Sequence, residues 1–307
     1  MGVIMINDLI KSTNLISVPS EYAFPAKPED LNMLTEKEVE QVTVPVIDFS
    51  TLTSGSPDQR SKTIEDLQNA CQDWGFFMVV NHGVPESLKN DLIASCMKFF
   101  DLSPEEKSPY RGKYEIDPRI VLDHETNLNT AVDSVSFWRD QFRVFVHPIF
   151  HPPHSPEGLS EVLSEYTKRS RDIMKELLKA IMEGLDLEED GIEKLIEQKS
   201  GAQIFSANLY PPCPQPELAI GLPPHADHGL LTLLMQNDVD GLHIKNKGKW
   251  VAVNPTPNSI MVNTGDHMEI LSKGKYKSVF HRAVVNNKET RISLVMTNGS
   301  PNETAAT

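Results

Sequence analysis

The chain has 307 residues, of which 39% are hydrophobic and 23% charged, a composition that excludes a disordered, collagen-like or low-complexity protein. Its 29 Lys and Arg against 43 Asp and Glu leave a formal charge of −14, a field that repels phosphate backbones and anionic lipid headgroups, so neither nucleic acid nor a membrane is an expected partner. No apolar run approaches the roughly 20 residues that span a bilayer, the start lacks a signal-peptide pattern, and Cys71, Cys96 and Cys213 are odd in number and widely spaced. A cytoplasmic, reduced and monomeric protein is expected.

Residues 1–43 are polar, carry Pro19, Pro25 and Pro28 and an acidic run at Glu36–Glu40, and read as an N-terminal arm or short helix wrapping a core that begins at Val44. Val44–Phe49 is the first strand. From Ile64, the residues Leu67, Ala70, Cys71 and Trp74 keep helical spacing until Gly75, and Phe76–Val80 has the length and composition of a buried strand. Pro85 opens a second helix with Leu88, Leu92, Ile93 and Met97 on one stripe, and Ser103-Pro104-Glu105-Glu106 opens a short turn. Residues 112–135 show no sustained period and read as a loop with short extended pieces, whereas Phe137–Val146 reads as a strand ended by Pro148, Pro152 and Pro153. Val162, Tyr166, Ile173, Leu177, Ile181 and Leu185 recur at threes and fours, which predicts a long amphipathic helix over 159–187.

After Gly201 the texture changes to short strand-like runs at 203–210, 230–236, 242–245, 250–253, 259–264, 276–283 and 291–296, separated by Gly, Pro, Asn and Asp. This is the pattern of an antiparallel sandwich or barrel. The expected organisation is an arm over 1–43 and one domain over 44–307, helix-rich to residue 200, with a strand core at 201–298 that the early strands join.

The chemistry concentrates in that core. In His225-Ala226-Asp227, positions i and i+2 on a strand or at its end face one side, so an imidazole and a carboxylate can converge on one point. A bare pair of this kind arises often by chance, and a third ligand must come from elsewhere. His281 lies in another strand-like run, and two His with one carboxylate form the facial triad that leaves positions open on iron(II). Ten residues further on, Arg291 and Ser293 again share one face of a strand. A guanidinium facing a barrel interior needs an anionic partner, and a bidentate carboxylate satisfies its donors best. A dicarboxylate co-substrate chelating iron through its other end would do so; a structural Asp or Glu is the plainer alternative.

These residues stand within motifs that together resemble the plant 2-oxoglutarate and iron(II)-dependent dioxygenases of specialised and hormone metabolism. The motifs are Asp73-Trp74-Gly75-Phe76-Phe77, Val80-Asn81-His82-Gly83-Val84, Asn208-Leu209-Tyr210-Pro211-Pro212-Cys213-Pro214, Pro224-His225-Ala226-Asp227-His228, Asn263-Thr264-Gly265-Asp266 and Lys277–Ala283. The resemblance implies a mainly β fold with flanking helices, a distorted double-stranded β-helix or jelly roll. It implies a dioxygenase that oxidises, by default hydroxylates, a small-molecule metabolite or hormone, with succinate and carbon dioxide as co-products. Fe(II), 2-oxoglutarate and O2 are the implied cofactors, with ascorbate a candidate reductant. His225, Asp227 and His281 match the family's iron ligands, Arg291 and Ser293 match the residues that hold the distal carboxylate of 2-oxoglutarate, and Tyr210 and Asn208 match further co-substrate contacts. No catalytic residue beyond the metal centre is expected.

Substrate contacts are expected from the 137–145 segment and near His281, with Phe142, Arg143 and Phe280 as candidates. The other polar candidates have plainer readings: His228 points away from Asp227, His82 is a hydrogen-bonded turn residue, His243 sits among exposed Lys and Asn, and Asp266 and His267 point to alternate sides. Cys213, between Pro212 and Pro214, suits a rigid corner better than a nucleophile, and no Gly-rich phosphate loop is present. Related proteins usually continue well past the RxS strand into a C-terminal helix, whereas 14 residues follow Ser293 in this sequence, so a more open substrate mouth is expected if the protein ends there. Two alternatives stay open: an oxidase of the same fold that does not use 2-oxoglutarate, and a non-catalytic small-molecule-binding variant.

Overall fold

The computed structural model describes residues 5–13, 15–24, 40–110, 120–123, 136–185, 202–254 and 256–299. The acidic run of the arm up to residue 39, most of the 112–135 loop and the tail after Gly299 therefore lie outside the described residues. In chain order the elements are α1 (Ile6–Ser12), β1 (Glu40–Val42), β2 (Val46–Asp48), α2 (Phe49–Ser54), α3 (Pro57–Asp73), β3 (Phe76–Val80), α4 (Glu86–Phe100), α5 (Pro104–Lys107), β4 (Ile120–Asp123), β5 (Asp140–His147) and α6 (Leu159–Glu183). The second part comprises β6 (Ala202–Tyr210), β7 (Leu222–His225), β8 (Leu231–Gln236), β9 (Leu242–Asn246), β10 (Lys249–Val253), β11 (Ile260–Thr264), α7 (Asp266–Leu271), β12 (His281–Ala283) and β13 (Arg291–Gly299).

Local chemistry explains many of the boundaries. Ser56 and Gln59 form a capping box with Pro57 in the first turn of α3, and Ser103 and Glu106 do the same for α5, satisfying amide donors that a helix start leaves open. Gly75 separates α3 from β3 at φ +64°, where a Cβ would fall 2.3 Å from Lys277 O, so both conformation and space require glycine.

The strands form two sheets, one of five in the order β1-β10-β9-β12-β7 and one of eight in the order β2-β3-β11-β8-β13-β6-β5-β4. Together they make the distorted jelly roll. The early strands belong to the larger sheet: β2 pairs with β3 in parallel, β3 pairs with β11, and β5 pairs with β6. The main apolar core brings together Phe77 and Val79 of β3, Phe205 and Ala207 of β6 and helix residues such as Leu67, Leu92, Leu177 and Ile181. A smaller cluster, including Phe76, Met78, Ile244, Val251 and Met261, draws on strands of both sheets. The short helix α1 is tied to the body by Asp140, whose carboxylate accepts from the Ile6 and Asn7 amides at 2.9 Å each, and by the buried Lys107, which donates to Asp8 at 2.6 Å. Among the described residues no helix is long and apolar enough to cross a membrane.

Two local expectations differ. The run at 276–283 is strand only over His281–Ala283, because the Lys277, Ser278 and Tyr276 amides donate to Cys71 O, Glu269 and Ser272 instead of to a ladder. Strand β7 has no counterpart among the expected strands, since Pro223 and Pro224 mask it; proline lacks the donor a central strand needs, and β7 is indeed an edge.

Candidate metal centre

Strands β7 and β12 pair antiparallel with His225 opposite His281, bringing the ring centroids to 4.1 Å. Each ring is held from behind. His225 Nδ1 lies 2.9 Å from Pro223 O and His281 Nδ1 lies 3.2 Å from Val279 O. A carbonyl only accepts, so this geometry assigns the proton to Nδ1 and leaves the Nε2 lone pair free for a metal. Just past the end of β7, Asp227 places Oδ1 3.8 Å from His225 Nε2 and 3.7 Å from His281 Nε2. One ligand atom from each of the three lies within 4.8 Å of the others, and each side chain is more than four-fifths buried.

The electrostatics favour the metal-binding protonation states. Burial and the adjacent His281 push the His225 imidazole well below its ordinary range, which keeps it neutral. Burial pushes Asp227 upward, but His281, His225 and the Asn263 hydrogen bond outweigh it and hold the carboxyl below its usual range. A neutral imidazole and an ionised carboxylate are the forms a cation binds.

The eight-stranded sheet supplies the other wall. Arg291 of β13 stands opposite Tyr210 of β6, and Ser293 opposite both Asn208 of β6 and Gln236 of β8. Arg291 is 2% exposed; its Nη2 donates to Gln236 Oε1 at 2.6 Å, and the guanidinium lies over the Tyr210 ring, 5.0 Å from its centroid. Among the described residues Nε and Nη1 are buried without an acceptor, and no carboxylate forms a salt bridge with this arginine. Burial accordingly pushes its pKa down. Gly241 and Gly221 make room here: a Cβ on the first would meet Arg291 Cδ at 2.9 Å, and on the second the Tyr210 ring at 2.7 Å. Asn208 Oδ1 accepts from Gln141 Nε2 at 2.8 Å and Arg139 Nη1 at 3.2 Å, while its Nδ2 donates to Ser293 at 3.3 Å.

Both walls line one cavity of about 220 Å³, which Ile204, Leu222, Leu234, Leu242, Met261 and Val295 complete with apolar surface. The donor sets fit the implied cofactors: two imidazoles and a carboxylate for a divalent iron, and unmet guanidinium donors for a carboxylate.

The structure brings His225, Asp227, His281, Arg291, Ser293, Tyr210, Asn208 and Arg143 to this cavity. Phe142 and Phe280 are corrections. Phe142 is fully buried in the main core with its ring 4.3 Å from that of Phe99, because β5 alternates and turns Gln141 and Arg143 toward the cavity instead. Phe280 is 52% exposed and does not line the cavity.

His82 is the expected turn residue, bonded to Asn258 O and the Val84 amide. His228 is half-exposed beside Asp266 at 3.3 Å, yet it too borders the cavity. His243 is not among exposed Lys and Asn as expected: it packs against Arg282, which stacks on Trp250, and burial pushes its pKa down to about 4. His267 lines the cavity because 266–271 is helical, so strand alternation does not apply there. Cys213 is buried and its thiol pushed up to about 11, no setting for a nucleophile. Arg139 and Gln141 lie within the expected 137–145 segment but were not singled out there, Asn263 stood only in a quoted motif, and Gln236, which reaches the site through Arg291, had no local signal; Gln141 was discoverable from its i, i+2 relation to Arg143.

Two family models cover most of the chain, the 2OG-Fe(II) oxygenase superfamily over residues 201–299 and the N-terminal region of non-haem dioxygenases in morphine synthesis over 44–183. The chain is 44% identical over 253 residues to 2-oxoglutarate-dependent dioxygenase 19 of Oryza sativa subsp. japonica, covering 82% of this chain and 74% of that protein. It is 37% identical over 301 residues to thebaine 6-O-demethylase of Papaver somniferum, covering 96% and 81%. Among solved structures, JOX2 in complex with 2OG, Fe and JA superimposes with a TM-score of 0.81 at 28% identity, covering 97% of this chain and 84% of that one.

Proposed function

Because the chain belongs to the 2OG-Fe(II) oxygenase superfamily and is a 2-oxoglutarate- and iron(II)-dependent dioxygenase, we propose that His225, Asp227 and His281 hold the iron, that Arg291 and Ser293 receive the distal carboxylate of 2-oxoglutarate, and that Tyr210 and Asn208 complete its site. The observation that carries this is the buried guanidinium with two unmet donors on the wall of the cavity that also holds the triad. When bound, iron and 2-oxoglutarate together supply the oxidation of a C–H bond by O2, with succinate and carbon dioxide released.

The chain's own residues position and enclose. Pro223 O and Val279 O aim the imidazoles, Tyr210 and Gln236 hold the Arg291 guanidinium level, and the apolar lining limits water. The primary substrate in this reading is a small plant specialised metabolite or hormone, hydroxylated by default; the thebaine demethylase and the JA-bound structure support that class. Gln141 narrows it. Arg139 can only donate, which fixes Asn208 Oδ1 as acceptor and Gln141 Nε2 as donor; Gln141 Oε1 is then a buried acceptor with no donor among the described residues. The 2-oxoglutarate dianion carries only acceptors, so a hydroxyl or N–H of the substrate suits this position. The charge of −14 supports a monomer that works without nucleic acid or membrane, and a cytoplasmic location is part of the same reading; gel filtration and cell fractionation test these two points.

The test of the site is anaerobic. Addition of iron(II) and then 2-oxoglutarate to wild type produces the visible charge-transfer band of a chelated keto acid, and Arg291→Ala needs far more 2-oxoglutarate to reach it. Equal 2-oxoglutarate dependence in the two proteins refutes the role of Arg291, and normal iron binding by His281→Ala refutes the ligand assignment.

A further inference from the structure

Beyond the Asn263 hydrogen bond to Asp227, the Asn263-Thr264-Gly265-Asp266 segment has had no part in the site, yet it backs the whole loop that carries Asp227. The Asp266 amide donates to Asp227 O at 2.7 Å, the His267 amide to His228 O at 3.1 Å and the Gly265 amide to Leu230 O at 3.2 Å. Gly265 allows this approach: a Cβ there would lie 2.3 Å from Gly229 O and 2.6 Å from Asp227 O. At the start of the series Asn263, 3% exposed on β11, donates from Nδ2 to Asp227 Oδ2 at 2.8 Å.

The two oxygens of Asp227 therefore have different surroundings. Oδ2 is engaged by the Asn263 amide, whereas Oδ1 faces the Nε2 atoms of His225 and His281 at 3.8 and 3.7 Å. A carboxylate can grip a cation with one oxygen or two, and the second grip takes a coordination position. A keto acid chelating through two atoms and O2 through one need three positions, all that three single-atom ligands leave on a six-coordinate iron. We propose that Asn263 is a positioning residue that confines Asp227 to coordination through Oδ1 alone. This rests on the reading of Asp227 as an iron ligand. An amide donor suits the task better than a cation, because it orients the carboxylate without cancelling the charge that attracts the metal.

The experiment uses the full chain, stripped of metal and titrated anaerobically with iron(II) and then 2-oxoglutarate, for wild type, Asn263→Leu, Asn263→Ser and Asp227→Ala. Asn263→Leu keeps the side-chain shape without the donor; the smaller Asn263→Ser serves if the first does not fold, as judged by circular dichroism. A folded Asn263 variant is expected to bind iron(II) roughly 10- to 100-fold more weakly, with a displaced or weakened charge-transfer band. A lower melting temperature with wild-type iron affinity and an unaltered band marks a merely structural role and overturns the proposal. Asp227→Ala separates the two layers. If it binds iron like wild type, the ligand assignment fails; if it loses iron while the folded Asn263 variants behave as wild type, only the positioning role fails.

Discussion

The histidine wall and the arginine wall of the cavity are organised on opposite principles. Around His225, Asp227 and His281 the fold spends its own groups: two carbonyls take the Nδ1 protons and an amide takes Asp227 Oδ2, so the inward atoms are aimed before any ligand arrives. Around Arg291 the fold withholds them. One amide oxygen meets Nη2, and among the described residues nothing accepts from the buried Nε and Nη1. A metal site gains from rigid orientation of ligands whose lone pairs cost little to bury, whereas a buried guanidinium with unmet donors is destabilised until a carboxylate arrives. The same cavity thus contains one part whose polar atoms are met within the protein and one whose donors are left over, where the proposed co-substrate would bind.

That contrast can be broken from either side. His281→Ala removes a ligand from the proposed triad, and turnover is expected to fall at least ~100-fold with loss of iron on anaerobic titration. Arg291→Met acts on the other wall: 2-oxoglutarate binding weakens by ~2–5 kcal/mol with iron affinity unchanged. The metal-free Arg291→Met protein melts at or above wild type, since replacing a buried unpaired charge by an apolar side chain is neutral or stabilising. A drop in melting temperature comparable to that of a core truncation breaks the contrast. Gln141→Met, which removes the orphan acceptor, is expected to lower kcat/KM for a hydroxyl- or N–H-bearing substrate by roughly tenfold, read by product assay. Gly241→Ala pushes on Arg291 Cδ and Val284 O from a backbone at φ +153°; a cost of ~1–3 kcal/mol in stability and a several-fold rise in the KM for 2-oxoglutarate are expected, with normal iron binding.

The smallest effect on turnover is expected at Asp140, which anchors α1 and leaves the cavity alone. Burial pushes its carboxyl up to about 6 despite the Asn7 and Ile6 amides. Its folded-state pKa lies above the unfolded value of about 3.9, so the folded chain retains a proton that the unfolded chain has released. This stabilising contribution is present at pH 4 and lost as pH rises to about 6. Melting curves of Asp140→Asn lack that decline, and an identical pH slope in the two proteins rejects the assignment.

How much could be read beforehand differs along the chain. In β5, Phe142 and Arg143 were both expected at the substrate, yet neighbours on a strand face opposite sides, and alternation alone ruled out one of them. Which one it was depended on α4 and α6, whose side chains occupy the face that Phe142 enters. In β7 the two prolines hid a strand that carries a candidate ligand at its end, because propensity does not reveal an edge.

The amino-acid sequence by itself determined which side chains could act together: Arg291 and Ser293 stand two apart within one strand, whose period places both on one side without knowledge of its neighbours, and His225 and Asp227 stand two apart where β7 ends. The motifs around them carried the family. Only the tertiary structure decided what stands behind these residues. Asn263 reaches Asp227 across 36 positions, Gln141 reaches Asn208 across 67, and Arg291 reaches Gln236 across 55. Such partners follow from strand order and register, set by packing two sheets and their helices together, which no local period along the chain records.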